Sequence, residues 1–200
     1  MISVTLSLLL ALSPAATTEI PKNFLLTERE ARKPLAPNIA EEEGYEISDK
    51  LSIPLEVNPC NHPRGIDRGR VAARTIGYWS SAPSGSSEQL VVYKSARAAH
   101  AAFAQLRAEV KRCAHKQDPA QPELTLRWRT SKAKAGDEAL GMGYEVWQGP
   151  HLNDTVTGVV ARRGRALMIY TTDEGDYYPG GLTKAAKKMA AKVCKLPGVC

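Results

Sequence analysis

The chain is poor in phenylalanine and has no long apolar run. Only two of its 200 residues are phenylalanine, so alanine, valine and leucine must fill most of the core. The one marked apolar stretch is at the start, residues 1–12, and it falls short of the roughly 20 residues that span a bilayer. We therefore expect no transmembrane segment in the mature chain.

The start of the chain has most features of a secretory signal peptide. The apolar residues 1–12 are followed by the small residues of Ser13–Thr17, although no lysine or arginine occurs before Lys22. This pattern is typical of a secretory leader and its cleavage zone. We predict a signal peptide over residues 1–17 and a secreted, extracellular protein. No cysteine lies near the cleavage zone, so a lipid anchor has no attachment residue.

Catalytic and metal-binding motifs are also missing. The chain contains no G-x-S-x-G, H-E-x-x-H, phosphate-binding glycine loop or C-x-x-C pair. Residues 131–134 fit S-x-x-K, but the companion motifs of the serine enzymes that use it are absent. We expect no catalytic residue, metal or cofactor, and hence no enzyme. A secreted hydrolase of unrecognised type stays open as an alternative, and converging serine, histidine and acidic side chains would support it.

The four cysteines are Cys60, Cys113, Cys194 and Cys200. An even number in an exported chain favours two disulfides, which can pair in three ways. Cys194 and Cys200 are separated only by a short segment with a Pro-Gly turn, and Cys113 continues the apolar stripe of a predicted helix. These placements favour Cys60–Cys113 and Cys194–Cys200.

The order of predicted elements is strand, strand, helix, four strands, helix. Short hairpins join most strands, and the tight turn at Arg163–Gly164 is the clearest of them. We therefore predict an α+β fold, an antiparallel sheet with the two main helices packed on one face. Residues 18–54 are predicted as an irregular N-terminal segment, with a short helix after the capping-box pattern at Thr27. The predicted elements span the following ranges: strands 70–80, 88–94, 124–129, 139–148, 155–161 and 165–171; helices 96–115 and from 183 onward.

A positive charge suggests which kind of partner the protein could bind. The formal net charge is +6, and residues 94–134 carry ten lysines and arginines against three acids. Export makes nucleic acid an unsuitable partner, so an anionic cell-wall polymer or lipid headgroup is the better candidate. The alternative is a solvated basic surface without any partner. The sequence does not determine the oligomeric state.

Candidate ligand contacts are aromatic and acidic side chains on and after the later strands. We expect the mouth of a small-molecule cleft to lie in a mobile glycine-rich loop, where binding contacts are common. The same aromatic residues could instead belong to the core. The candidate residues are Tyr144, Trp147, His151, Asp176, Tyr177 and Tyr178.

Several short segments between residues 55 and 200 together form a recognisable pattern. They are Cys60, Leu90–Ala96, Phe103, Cys113, Val156–Ala161, Arg163–Gly164, Ala166–Tyr170 and the closing helix through Val193. On these residues the chain resembles the PknH-like extracellular sensor domain, a family found on a mycobacterial receptor kinase and in actinobacterial secreted proteins. The resemblance implies an antiparallel sheet with helices, a cleft that accommodates a ligand, no catalytic residue, and cysteines paired first to second and third to fourth. This chain has neither a kinase domain nor a lipid-attachment cysteine, so signalling by the chain itself is not implied.

Overall fold

The structure is a computed structural model that describes residues 19–40, 42–60, 69–81, 84–117, 121–173 and 181–200. The predicted signal peptide lies outside these residues. Within the described ranges, no helix has both the length and the apolar character needed to cross a membrane.

Eight strands form one antiparallel sheet in the order β1-β2-β3-β8-β7-β6-β5-β4. The strands are β1 (Glu43–Ser48), β2 (Arg70–Ser80), β3 (Gly85–Tyr93), β4 (His115–Gln117), β5 (Leu124–Ser131), β6 (Glu138–Gln148), β7 (His151–Arg163) and β8 (Ala166–Thr172). The helices are α1 (Glu28–Ala31), α2 (Pro37–Ala40), α3 (Ala96–Arg112) and α4 (Leu182–Lys192), and a 3₁₀ turn, Val193–Lys195, follows α4.

Local sequence explains where the main elements begin and turn. The Ser95 hydroxyl accepts a hydrogen bond from the Ala98 amide at 3.1 Å and so caps the start of α3. Gly164 has a φ of 54°, which a tight turn between β7 and β8 requires and which only glycine adopts without strain. The predicted hairpin is therefore present, and the helix predicted to begin at residue 96 does begin there.

The two central strands are buried on both faces. All eight β3 residues after Gly85 are buried, and β8 is buried along almost its whole length. Alternate residues of these strands belong to two separate core clusters. Leu90 and Met168 pack with α4, whereas Val91 and Ile169 pack with α3. The two helices therefore cover opposite faces of the sheet, which we call the α3 face and the α4 face.

The predicted fold class is wrong in two respects. Strands make up 42% of the described residues and only two of the four helices have seven or more residues, so the fold is mostly β rather than α+β. The helices also do not share a face. The reason is that Leu90–Tyr93 of β3 and Ala166–Tyr170 of β8 are continuously apolar, and such stretches need a cover on each side.

Residues 19–54, predicted as irregular, are built into the sheet and its core. They supply β1, which pairs along β2, and three buried side chains, Ile20, Phe24 and Leu25. Thr27 does precede a short helix, but its side chain does not cap it. Its hydroxyl instead donates to the Glu88 carboxylate on β3 at 2.7 Å. The proposed domain boundary at residue 55 stays a prediction.

A buried carboxylate fastens this N-terminal segment to the sheet. Glu28 is fully buried and accepts hydrogen bonds from Arg32 and, at 3.2 Å, from Arg74 of β2. Burial alone would raise the pKa of Glu28, but backbone N–H groups of Asn23 and Leu25 and the two guanidinium groups outweigh burial and lower it. The charged form of Glu28 is therefore the one that holds the segment.

Both disulfides have the predicted pairing, Cys60–Cys113 and Cys194–Cys200. The first joins the segment before β2 to the end of α3, where Cys113 is the capping residue. The second closes a short loop after α4. On the chain-entropy account the longer loop stabilises by about 4 kcal/mol and the shorter by about 2.4 kcal/mol.

We expect Glu28→Gln to weaken the fold most at neutral pH. A carboxyl whose pKa is lowered by folding stabilises the protein above its unfolded pKa, and this contribution is lost as the pH falls through the folded pKa. At pH 7 the variant should lose about 3 kcal/mol of unfolding free energy, because a buried arginine keeps only part of its pairing. Urea denaturation should show this difference shrinking between about pH 5 and pH 3.

Glu30→Gln is the matched control, because Glu30 lies on the same helix, its side chain is 61% exposed, and Lys33 is its ion-pair partner among the described residues. Its effect should stay within about 0.5 kcal/mol at every pH. A difference between wild type and Glu28→Gln that is constant from neutral to acid pH would contradict the role given to the Glu28 charge.

Candidate functional site

The main cleft lies on the α4 face, where the cover of the sheet ends. Helix α4 packs on β7 and β8 and leaves the adjoining stretch of β5, β6 and β7 open. The open area forms a cleft of about 550 Å³ with a predominantly apolar surface. This volume lies within the usual range for small-molecule sites. The side chains that share this face are Ser131, Thr155, Thr157, Val159, Leu182 and Thr183.

Two glycines of β6 form the floor of the cleft. A Cβ on Gly143 would collide with the Val156 carbonyl oxygen of β7, and one on Gly141 would meet the Ser131 hydroxyl. Glycines inside a strand often mark a bulge or a close approach of another group. Close approach is what the structure has at both positions, since the register shift lies further along, between Val146 and Trp147. The missing side chains keep the floor shallow and open.

Charged side chains of β5 and β6 border one end of the cleft. Glu145 is paired with Arg129 at 2.9 Å and also accepts the Trp147 indole N–H at 2.9 Å. Arg127 lies over the Trp147 ring, 4.3 Å from its centre. These four side chains occupy one face of the sheet, because each is two residues along its strand from the next.

Tyr144 and Trp147, predicted to line one cleft together, lie on opposite faces. The Tyr144 ring packs at 4.8 Å against Trp128, which contacts the core cluster under α3. Burial, and then the charges of Asp154 and Asp173, raise the pKa of the Tyr144 hydroxyl. Trp147 is near the open cleft, whereas the Tyr144 side chain belongs to the other side of the sheet.

Of the remaining predicted contacts, the structure describes His151. It is exposed at the β6–β7 turn, opposite Gln148, and does not border the cleft. Asp176, Tyr177 and Tyr178 lie outside the described residues. All six ligand-contact assignments stay predictions. Among those described, Tyr144 borders the main cleft although its ring lies on the other side of the sheet, and Trp147 lies beside Glu145 at one end of the cleft.

A second, smaller depression of about 300 Å³ is bordered by Trp79, Asp154 and Asp173. Asp173 accepts a hydrogen bond from the Gly85 amide at 2.6 Å, so one of its carboxylate oxygens is already bonded within the fold. Among the described residues, no group of three or more histidine, cysteine or acidic side chains is arranged to hold a metal ion.

The basic stretch 94–134 is divided between the two faces. Arg97, Arg107 and Lys111 are exposed on α3, whereas Arg129 and Lys132 border the cleft on the α4 face. The predicted basic surface is therefore not one continuous patch.

Comparison with known proteins identifies a related fold. The structure resembles the crystal structure of the extracellular domain of PknH from Mycobacterium tuberculosis, with a TM-score of 0.51 and 13% sequence identity. The match covers 86% of this chain and 91% of that domain. No family model matches the chain, and no curated protein does. The chain therefore has the fold of this extracellular domain, as the sequence resemblance suggested.

Sequence reasoning missed the residues that shape the cleft. Thr157 and Leu182 belong to no sequence motif. Only the two glycines of β6 indicated that this strand departs from regular packing beside the cleft. The relevant signal is the combination of Gly141 and Gly143 on one strand face with the polar, alternating β5 beside it.

We expect Gly143→Ala to destabilise the protein, because the added methyl group must displace the backbone of β7. The loss in unfolding free energy should be about 1–3 kcal/mol, which urea denaturation can measure. Gly77→Ala on β2 is the control, since a Cβ there meets nothing within 4 Å. The control should be neutral or stabilising by about 0.5 kcal/mol. Equal effects of the two substitutions would contradict the packing described for the floor.

Proposed function

We propose that this protein is a secreted, non-enzymatic, sensor-like domain of the PknH extracellular type, which binds a small apolar ligand in the cleft on the α4 face. The cleft is the observation that carries the proposal. It combines a small-molecule volume, a mainly apolar surface and a few polar side chains at its margin, as ligand sites usually do.

The rest of the molecule supports a binding role outside the cell. Two disulfides suit an oxidising compartment, and the related fold is that of an extracellular domain. The absence of catalytic motifs from the sequence favours binding over catalysis. In the described part of the cleft, Ser131 is the one serine, and no histidine borders it.

A neutral fluorescent dye provides the direct test. N-phenyl-1-naphthylamine is uncharged and becomes bright in apolar surroundings, so it reports on the cleft without help from charge. We expect saturable binding to the purified protein and about tenfold weaker binding to Thr157→Trp, because the indole would fill the cleft from exposed Thr157.

Val71→Trp is the matched control, since Val71 is an exposed residue of β2 distant from the cleft in the sheet order. Circular dichroism should show both variants folded. Loss of dye binding in both variants, or in neither, would overturn the assignment of the site.

A further inference from the structure

We propose that the ligand is a single-chain amphiphile with an anionic headgroup. Its chain would lie in the apolar cleft and its headgroup would contact Lys132 and Lys184. This inference rests on the proposed function and adds the chemistry of the ligand to it.

The cations beside the cleft are in excess over the acids. Arg127, Arg129 and Lys132 line or adjoin its β5 side, and Glu145 is the one acid among the described residues that line it. Glu145 is already engaged by Arg129 and by the Trp147 indole. In the ranges that the structure describes, no carboxylate is paired with Lys132, so its ammonium group is available to a ligand.

The helix at the other side of the cleft adds to this charge. Helix α4 begins at Leu182 and contains four lysines and no acidic residue. Lys184, Lys187 and Lys188 are exposed, and none has an ion-pair partner among the described residues. The positive end of the helix dipole also lies at Leu182, on the margin of the cleft. Lys132 and the start of α4 both border the cleft, so an anionic group is favoured there.

The nearby acids do not cancel this field, because arginines already neutralise them. Asp137 pairs with Arg163 at 2.7 Å, and Glu138 pairs with Arg162. Both carboxylates belong to the β5–β6 loop region next to Lys134. Among the residues that the structure describes, the lysines therefore remain the uncompensated charges around the cleft.

The arrangement favours a small amphiphile over a flat anionic polymer. Three other exposed basic residues of the stretch 94–134, Arg97, Arg107 and Lys111, lie on α3, on the opposite face of the sheet. One flat surface cannot contact both helices at once. On the α4 face, the positive charge borders an apolar cleft, which is the combination that an acyl chain with an acidic headgroup requires.

Displacement of N-phenyl-1-naphthylamine by two surfactants of equal chain length tests the proposal. Laurate carries a carboxylate and dodecanol a neutral hydroxyl, and both are used below their micellar concentrations. Laurate should displace the dye at about tenfold lower concentration than dodecanol from the wild-type protein. In the double variant K132E and K184E this preference should vanish while dye affinity stays within about twofold.

Lys111→Glu is the charge-matched control on the opposite face, and it should retain the laurate preference. Equal displacement by the two surfactants would overturn the anionic headgroup and leave the cleft assignment intact. Failure of the dye itself to bind would instead overturn the proposed function. A third result would also overturn the proposal. If the protein sediments with phosphatidylglycerol vesicles and free laurate does not displace the dye, the basic residues bind a membrane surface and the cleft does not bind an amphiphile.

Discussion

The burial of β3 and β8 on both faces is the constraint on which the rest of the structure depends. Their apolar residues do not alternate with polar ones, so each face needs its own cover. Helix α3 supplies one cover, held by the Cys60–Cys113 disulfide at its end. Helix α4 and the N-terminal segment share the other, and the buried Glu28 and Glu88 carboxylates fasten that segment to the sheet.

The cleft exists because helix α4 and the N-terminal segment do not extend over the whole of this face of the sheet. The sheet is eight strands wide, but α4 packs mainly on β7 and β8. The adjoining surface of β5 and β6 stays open, and Gly141 and Gly143 keep it free of bulky side chains. The same helix begins at the edge of the opening and has Lys184 in its first turn. Shape and charge at the site therefore both come from where α4 begins.

Much of the local structure could be predicted, but not how the helices are arranged. The Arg163–Gly164 turn, the Ser95 cap and both disulfides depend on short-range patterns, and all are present. The faces were predicted wrongly because the apolar run through Leu90–Tyr93 was taken as a strand covered on one side. Tyr144 and Trp147 were grouped by residue type, although an odd spacing in a strand places two side chains on opposite faces.

The central claim is that the ligand site is the cleft on the α4 face, and nuclear magnetic resonance tests it most directly. Amide shifts of the isotope-labelled protein would be followed as N-phenyl-1-naphthylamine is added. The account predicts the largest changes at Gly143, Thr157 and Leu182, with little change around Trp79 and Asp154. Changes concentrated at Trp79, Asp154 and Asp173 would contradict it, because these residues border the separate depression.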